Sequence, residues 1–208
     1  LVPTVFDFGR NGLPPTHPKL LDWLASELID SGWSMKHVHR LIVESSTYRL
    51  SGSSRGAEAN GVQDPDNTWL WRRTPGRLES QAVRDSLLAL AGSLDPALGG
   101  PPVPKPQQDG SKRRSIYFFH SNNERNLFLT MFDEALVTEC YRRDQSIVPQ
   151  QALALTNSQL VLDVSPRIAQ RITRNLQTLG QPDEDGAFVR AAFVLLLAVE
   201  PTDSERAA

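Results

Sequence analysis

Apolar positions recur at helical spacing through most of the chain. The first stretch, Leu1 to Pro15, is an irregular lead-in interrupted by Pro3, Gly9, Asn11-Gly12 and Pro14-Pro15. Beyond it Leu20, Leu21, Leu24 and Leu28 fall on one helical face, with Thr16 as N-cap, Pro18 in the first turn and Gly32 as the stop. A second helix begins after Ser34 and turns Met35, Val38, Ile42 and Ser45 inward. The two predict an antiparallel helical pair with a short connection. Residues 51–63 are Gly, Ser, Ala and Asn-rich, too polar to bury anything, and read as a flexible loop. Asp66-Asn67 opens a short helical turn holding Trp69 and Trp71.

A strong helical pattern follows from Leu78 to about Ser93. Residues 95–110 hold five prolines and three glycines and form a Pro/Gly-rich loop or internal linker. Ser115 to Phe119 is short and aromatic, the one strand candidate. Leu127 to Phe132 is apolar and helical, and Pro149 fits the first position of a helix running through Leu155. Val161, Val164, Ile168, Ile172 and Leu179 continue a helical stripe, which Ser165-Pro166 should start, bend or break. A last long helix spans about Gly186 to Val199. Thr202 and Glu205 have capping-box spacing. The pattern predicts a mainly α fold: an irregular bundle of about six helices with a long Pro-rich loop and at most a short β element. There is no internal repeat. Leu1 is not an initiator Met, and the closing capping box is followed by little sequence, so we expect a fragment truncated at both ends.

Composition narrows the function classes. A net charge of −2 and a pI near 6.1 give no field that favours nucleic acid or an anionic membrane. The basic groups Arg72-Arg73, Lys112-Arg113-Arg114 and Arg142-Arg143 are local. The single cysteine, Cys140, excludes an internal disulfide and a Cys-based metal cluster within the chain. The longest apolar run, Ala191 to Val199, is too short to span a bilayer, so no membrane insertion is expected.

The candidate chemistry is sparse. On a helical wheel Leu78, Ala82, Val83, Ser86, Leu87 and Leu90 share one half and Glu79 sits among them, with Gln81, Arg84 and Asp85 opposite. Glu79 is therefore expected to point inward, where a carboxylate needs a partner; Arg72, Arg73 and Arg77 would supply a buried ion-pair network. The sharper alternative makes Glu79 and Asp133 an acid and base in one cleft. His37 and His39, two residues apart on a helix, diverge by about 200° and cannot share a metal; His39 reads as a satisfied core-edge histidine, His37 as an outer-face residue beside Glu44. His17 and His120 fall in turns, and no metal site is expected. Trp69 and Trp71 could stack on a sugar, though tryptophans in such a position are more often core anchors. Arg142 and Arg143 join them as possible binding residues. Nucleophile elbows, phosphate loops and dinucleotide fingerprints are missing from the sequence.

Many phrases, in order, resemble one family. They include Pro15-Thr16-His17-Pro18, Leu21-Asp22-Trp23-Leu24-Ala25, Gly32-Trp33-Ser34 and His39-Arg40-Leu41-Ile42-Val43. Ser46-Thr47-Tyr48-Arg49, Arg77-Leu78-Glu79, Arg84-Asp85-Ser86-Leu87-Leu88, Arg114-Ser115-Ile116-Tyr117 and Gln151-Ala152-Leu153-Ala154-Leu155 continue the series. Together they resemble domain-of-unknown-function family 1553, the C-terminal domain of planctomycete cytochrome-c-like surface proteins, over nearly the whole of 1–208. The resemblance implies an exported, periplasmic or cell-surface protein with haem in upstream domains and no cofactor in this segment. It carries no catalytic residues. Gln81 stands where the family often has a second acid, and Ser165-Pro166 interrupts a helix that is elsewhere continuous.

Two functions follow as expectations. The first is a structural or partner-binding module working with upstream domains of its own chain, or with a protein or glycan partner. The second is a catalytic domain acting on an extracellular polymer through Glu79 and Asp133.

Overall fold

The structure, a computed structural model of the chain, describes residues 1–208 apart from Phe6, Phe8, 139–145, 181–184 and 207–208. Ten α-helices and two short 3-10 turns account for the regular structure among these residues, and β pairing is limited to two isolated bridges. The fold is mainly α. The chain divides into two compact units, Leu1–Arg77 and Leu78–Ala208.

The first unit contains the helical pair. Helix α1 spans Pro18–Asp30 and α2 spans Met35–Glu44, and the two pack on each other. His17, not Thr16, occupies the N-cap of α1; the Thr16 hydroxyl instead bonds to the Leu1 carbonyl oxygen and to His17 Nδ1. Gly32 ends the helix in the left-handed region at φ +69°, where a Cβ would be strained. The inner face of α2 differs from the sequence expectation. Val38, Leu41 and Ser45 are half-buried, whereas Met35 and Ile42 face solvent. His37 lies on this inner side and meets Glu27 of α1 at 2.9 Å, while His39 is exposed. A small two-helix contact can bury only a narrow stripe, and the His37–Glu27 hydrogen bond takes part of it.

The polar stretch 51–63 is not wholly a loop, since Glu58–Gln63 forms the short helix α3. Glu58 stands in its first turn; its own backbone N–H first, and then the Gly56 N–H that it accepts at 2.9 Å, hold its carboxyl below the usual range. The Trp69–Trp71 region is a hydrogen-bonded turn rather than a helical one.

In the second unit α4 (Ser80–Leu90), α7 (Pro149–Asn157) and α8 (Gln159–Thr178) are the main supports. Leu88 of α4 packs with Val164, Ile168 and Ile172 of α8 in one core, joined by Phe188 and Ala191 of α9 (Asp185–Leu197). Leu179, assigned to the same stripe from sequence, lies beyond the helix end and is exposed. Pro149 opens α7 as expected. Pro166 neither starts nor breaks α8, which runs through it. Its ring releases the carbonyl of Leu162, a residue on the exposed side where water can satisfy that oxygen. Arg171 of α8 donates to the carbonyls of Ala89 and Leu90, closing the C-terminal end of α4.

The Pro-rich stretch 95–110 is built into this unit. It contains the short helix α5 (Lys105–Gln108), and Val103 is buried in a second core with Phe118 and Leu129 of α6 (Leu127–Met131). Ser115–Tyr117 is a 3-10 turn, not a strand; isolated bridges flank it, Asp95–Arg113 before and Val103–Phe118 after. The closing helix α10, Asp203–Arg206, begins at the Thr202–Glu205 box.

Candidate functional site

The second unit carries an open cleft of about 980 Å³ between α4, α6, α7, α8 and the segment Asp109–Lys112. Its position follows from how α4 is rotated. Ser80, Arg84 and Leu88, spaced by four, are the buried residues of α4, so the inward face is not the one the wheel favoured. Arg84 is only 2 % exposed, at the base of the cleft.

Burying a guanidinium requires acceptors on every side, and the neighbouring loop supplies them. Arg84 Nη1 donates to the Arg113 carbonyl at 3.0 Å, to Ser115 Oγ at 3.2 Å and to Asp85 Oδ1 at 3.4 Å, and Nη2 donates to the Ser111 carbonyl. The Phe118 ring stacks beneath it at 4.4 Å. Burial pushes the Arg84 pKa down, while Asp85 and, further off, Asp109 oppose that shift. Asp85 in turn accepts the N–H and the hydroxyl of Ser115. Arg113 repeats the device on the outer side, lying over Tyr117 at 4.1 Å and donating to the carbonyls of Ala97 and Gly99.

A second polar knot holds the other wall. Gln108 is fully buried; its amide donates to the Val103 and Phe119 carbonyls, fixing both ends of the bridged segment. Asn126 caps α6 through the Leu129 N–H and reaches Gln108 and Asp109 with its amide. Apolar residues such as Phe128, Met131, Ala154 and Val164 line the interior of the cleft, and Lys112, Gln150, Asp163 and Arg167 contribute polar groups to its lining. Leu127 and Leu153, also in the lining, are 70 % and 57 % exposed. They are large apolar groups at an open groove.

The described residues singled out from sequence sit elsewhere. Glu79 is exposed at the N-cap of α4, which corrects the expectation that it points inward. The physical reason is the rotation of α4 that brings Arg84 inside, where its five donors can be used. Arg72 lies against the Trp71 ring at 5.0 Å, and Arg73 over Tyr48 at 4.2 Å with a bond to the Tyr48 carbonyl. Arg77 is exposed. Asp133 adopts φ +58° and accepts the N–H and hydroxyl of Ser146 at 2.8 and 2.7 Å. Neither Glu79 nor Asp133 lines the cleft. Arg142, Arg143 and Cys140 lie outside the described residues.

Next to Asp133, Glu134 is buried with His120 Nδ1 at 3.2 Å and Arg125 Nε at 3.5 Å. Sequence reasoning missed this cluster and the Arg84–Asp85–Ser115 knot. Both parts of the knot stand in phrases that carry the family resemblance, Arg84-Asp85-Ser86 and Arg114-Ser115-Ile116, which was the available signal. Among the described residues, no group of three or more His, Cys, Asp or Glu side chains converges to hold a metal ion, and no helix is long and apolar enough to cross a membrane.

No curated protein and no solved structure matches the chain. A family model described as a protein of unknown function, DUF1553, matches residues 1–208, across both units. The chain therefore belongs to the DUF1553 family.

Proposed function

We propose that the chain is a partner-binding module of an exported, cytochrome-c-like surface protein, and that the cleft of its second unit receives a segment from the upstream part of the same polypeptide. The observation that carries this is the groove itself. It has an apolar lining with Leu127 and Leu153 left open to solvent, and polar groups of both charge signs, Lys112, Asp163 and Arg167, among its lining residues. That combination suits a peptide, whose side chains fill the apolar floor while its polar groups pair at the edge. The buried Arg84 and its half-buried neighbour Asp85 support the same reading. Arg84 and Asp85 are spent on holding the loop that forms one wall, which gives the groove a fixed shape. Export and upstream haem domains rest on the family resemblance.

The test is to mix the purified chain with the separately expressed upstream part of its polypeptide and follow amide hydrogen exchange. Protection should concentrate on α6 and α7, and Leu153→Glu should abolish it while leaving the thermal midpoint of the free chain unchanged. Unaltered exchange in α6 and α7, or protection that Leu153→Glu leaves intact, overturns the proposal.

A further inference from the structure

Trp69 is 72 % exposed, yet the turn that carries it is held by several side-chain hydrogen bonds. The Asp64 carboxylate accepts the N–H of Thr68 and of Trp69, each at 2.8 Å. The Asp64 carbonyl accepts the indole N–H of Trp71 at 3.0 Å, which makes Trp71 the anchor of the turn. Asn67, buried, donates through its amide to the Arg72 carbonyl at 2.8 Å and to Thr74 Oγ1 at 3.0 Å. Two residues flanking Trp69, Asn67 at φ +54° and Leu70 at φ +56°, occupy the left-handed region. For a leucine this is a costly conformation, kept only where surrounding bonds over-determine it. The effect of the arrangement is to present a large apolar ring to solvent in a fixed position.

The ring has a polar neighbour in His17. The His17 imidazole stands at right angles to it, with centroids 5.8 Å apart and an interplanar angle of 83°. Thr16 Oγ1 bonds to His17 Nδ1 at 2.9 Å, so that nitrogen is committed. Among the described residues Nε2 makes no hydrogen bond. A flat apolar face beside an available imidazole nitrogen matches one ligand chemistry well. A pyranose ring has an apolar C–H face that stacks on indole and a rim of hydroxyls that can donate to or accept from the imidazole. Because the turn is already locked, little conformational entropy is lost on binding.

We infer that Trp69 and His17 form a carbohydrate-binding platform, with Trp69 stacking on a sugar ring and His17 Nε2 bonding a hydroxyl. This is a site separate from the cleft, and it does not depend on the cleft reading.

The experiment is calorimetric titration of the whole chain with two neutral probes of different ring presentation, cellohexaose and maltohexaose. At least one is expected to bind. Trp69→Ala should weaken it by about tenfold or more, the loss of one aromatic stack, and Trp69→Phe should restore part of the affinity. His17→Phe keeps an aromatic ring and removes the nitrogen, so it should also weaken binding. Trp33→Ala, at another exposed tryptophan, should leave it unchanged. Circular dichroism establishes that each variant is folded. Absence of binding to both probes overturns the inference, as does Trp69→Ala binding as tightly as the parent or Trp33→Ala weakening binding equally.

Discussion

Asp85 accepts both donors of Ser115, the backbone N–H at 2.9 Å and the hydroxyl at 2.7 Å, across an interval of 30 residues. The contact joins α4 directly to the 3-10 turn that follows the Pro-rich segment. Every residue between them is thereby closed into one loop, and that loop supplies the Asp109–Lys112 part of the cleft lining. Loop closure costs entropy that grows only slowly with length, so a few good bonds at its base suffice to hold it.

The first prediction concerns this clasp. Ser115→Ala should lower unfolding free energy by about 1–2 kcal/mol, through loss of the hydroxyl's bonds to Asp85 and Arg84. Asp85→Ala should cost more, about 2–3 kcal/mol, because it also leaves the buried Ser115 N–H without its acceptor. In a double-mutant cycle by urea denaturation the two should fall short of additivity. Additive effects would mean that the residues act independently.

Arg84 should tolerate no replacement, including lysine. An ammonium group cannot reach the Ser111 and Arg113 carbonyls and Ser115 Oγ in the planar fan that the guanidinium uses. Arg84→Lys is expected to cost about 2–4 kcal/mol, with Arg84→Met similar because the carbonyls lose their donor. Denaturation midpoints of both variants check this, and limited proteolysis should cut first between residues 95 and 115.

The helices were legible wherever apolar spacing and a start signal agreed. Pro149 opening α7, the Val164–Ile168–Ile172 stripe of α8 and the Thr202–Glu205 box are of this kind, since each depends on local spacing and local bonds. The inward face of α4 was not legible. Its wheel offered a nearly apolar half, and nothing local shows that Arg84 would meet carbonyls lying 27 and 29 residues away. The same holds for the Pro-rich segment. Prolines and glycines announce a loop, but whether that loop is free or pinned by a buried Gln108 is decided by distant acceptors. The candidate cleft was hidden for that reason, as its walls come from segments far apart in sequence.

The α8 stripe gives a contrast within one element. Ile168→Ala empties a buried site against Leu88 and should cost about 2–4 kcal/mol. Leu179→Ala, at an exposed position past the helix end, should change stability by less than about 0.5 kcal/mol. Thermal denaturation separates the two. A comparable loss at both positions would mean that the stripe extends to Leu179, as spacing alone had suggested.

The capping box of α10 yields a prediction with a definite pH direction. The Thr202 N–H donates to Glu205 Oε2 at 2.8 Å and the Thr202 hydroxyl to the same oxygen at 2.7 Å. These bonds, the backbone one first, hold the Glu205 carboxyl below its usual range. A carboxyl depressed in the folded state binds its proton more readily when unfolded. Its stabilising contribution is therefore complete above the unfolded pKa and is lost as pH falls through the lower, folded one. Carbon-detected titration of Glu205 should show the depressed midpoint, and Thr202→Val should move it part of the way back, since valine keeps the N–H and removes the hydroxyl. The amide of Glu205, which the Thr202 hydroxyl accepts at 3.4 Å, should exchange faster in the same variant. A Glu205 midpoint at the ordinary carboxylate value in the parent chain would show that the box does not form in solution, and α10 would then lack its start signal.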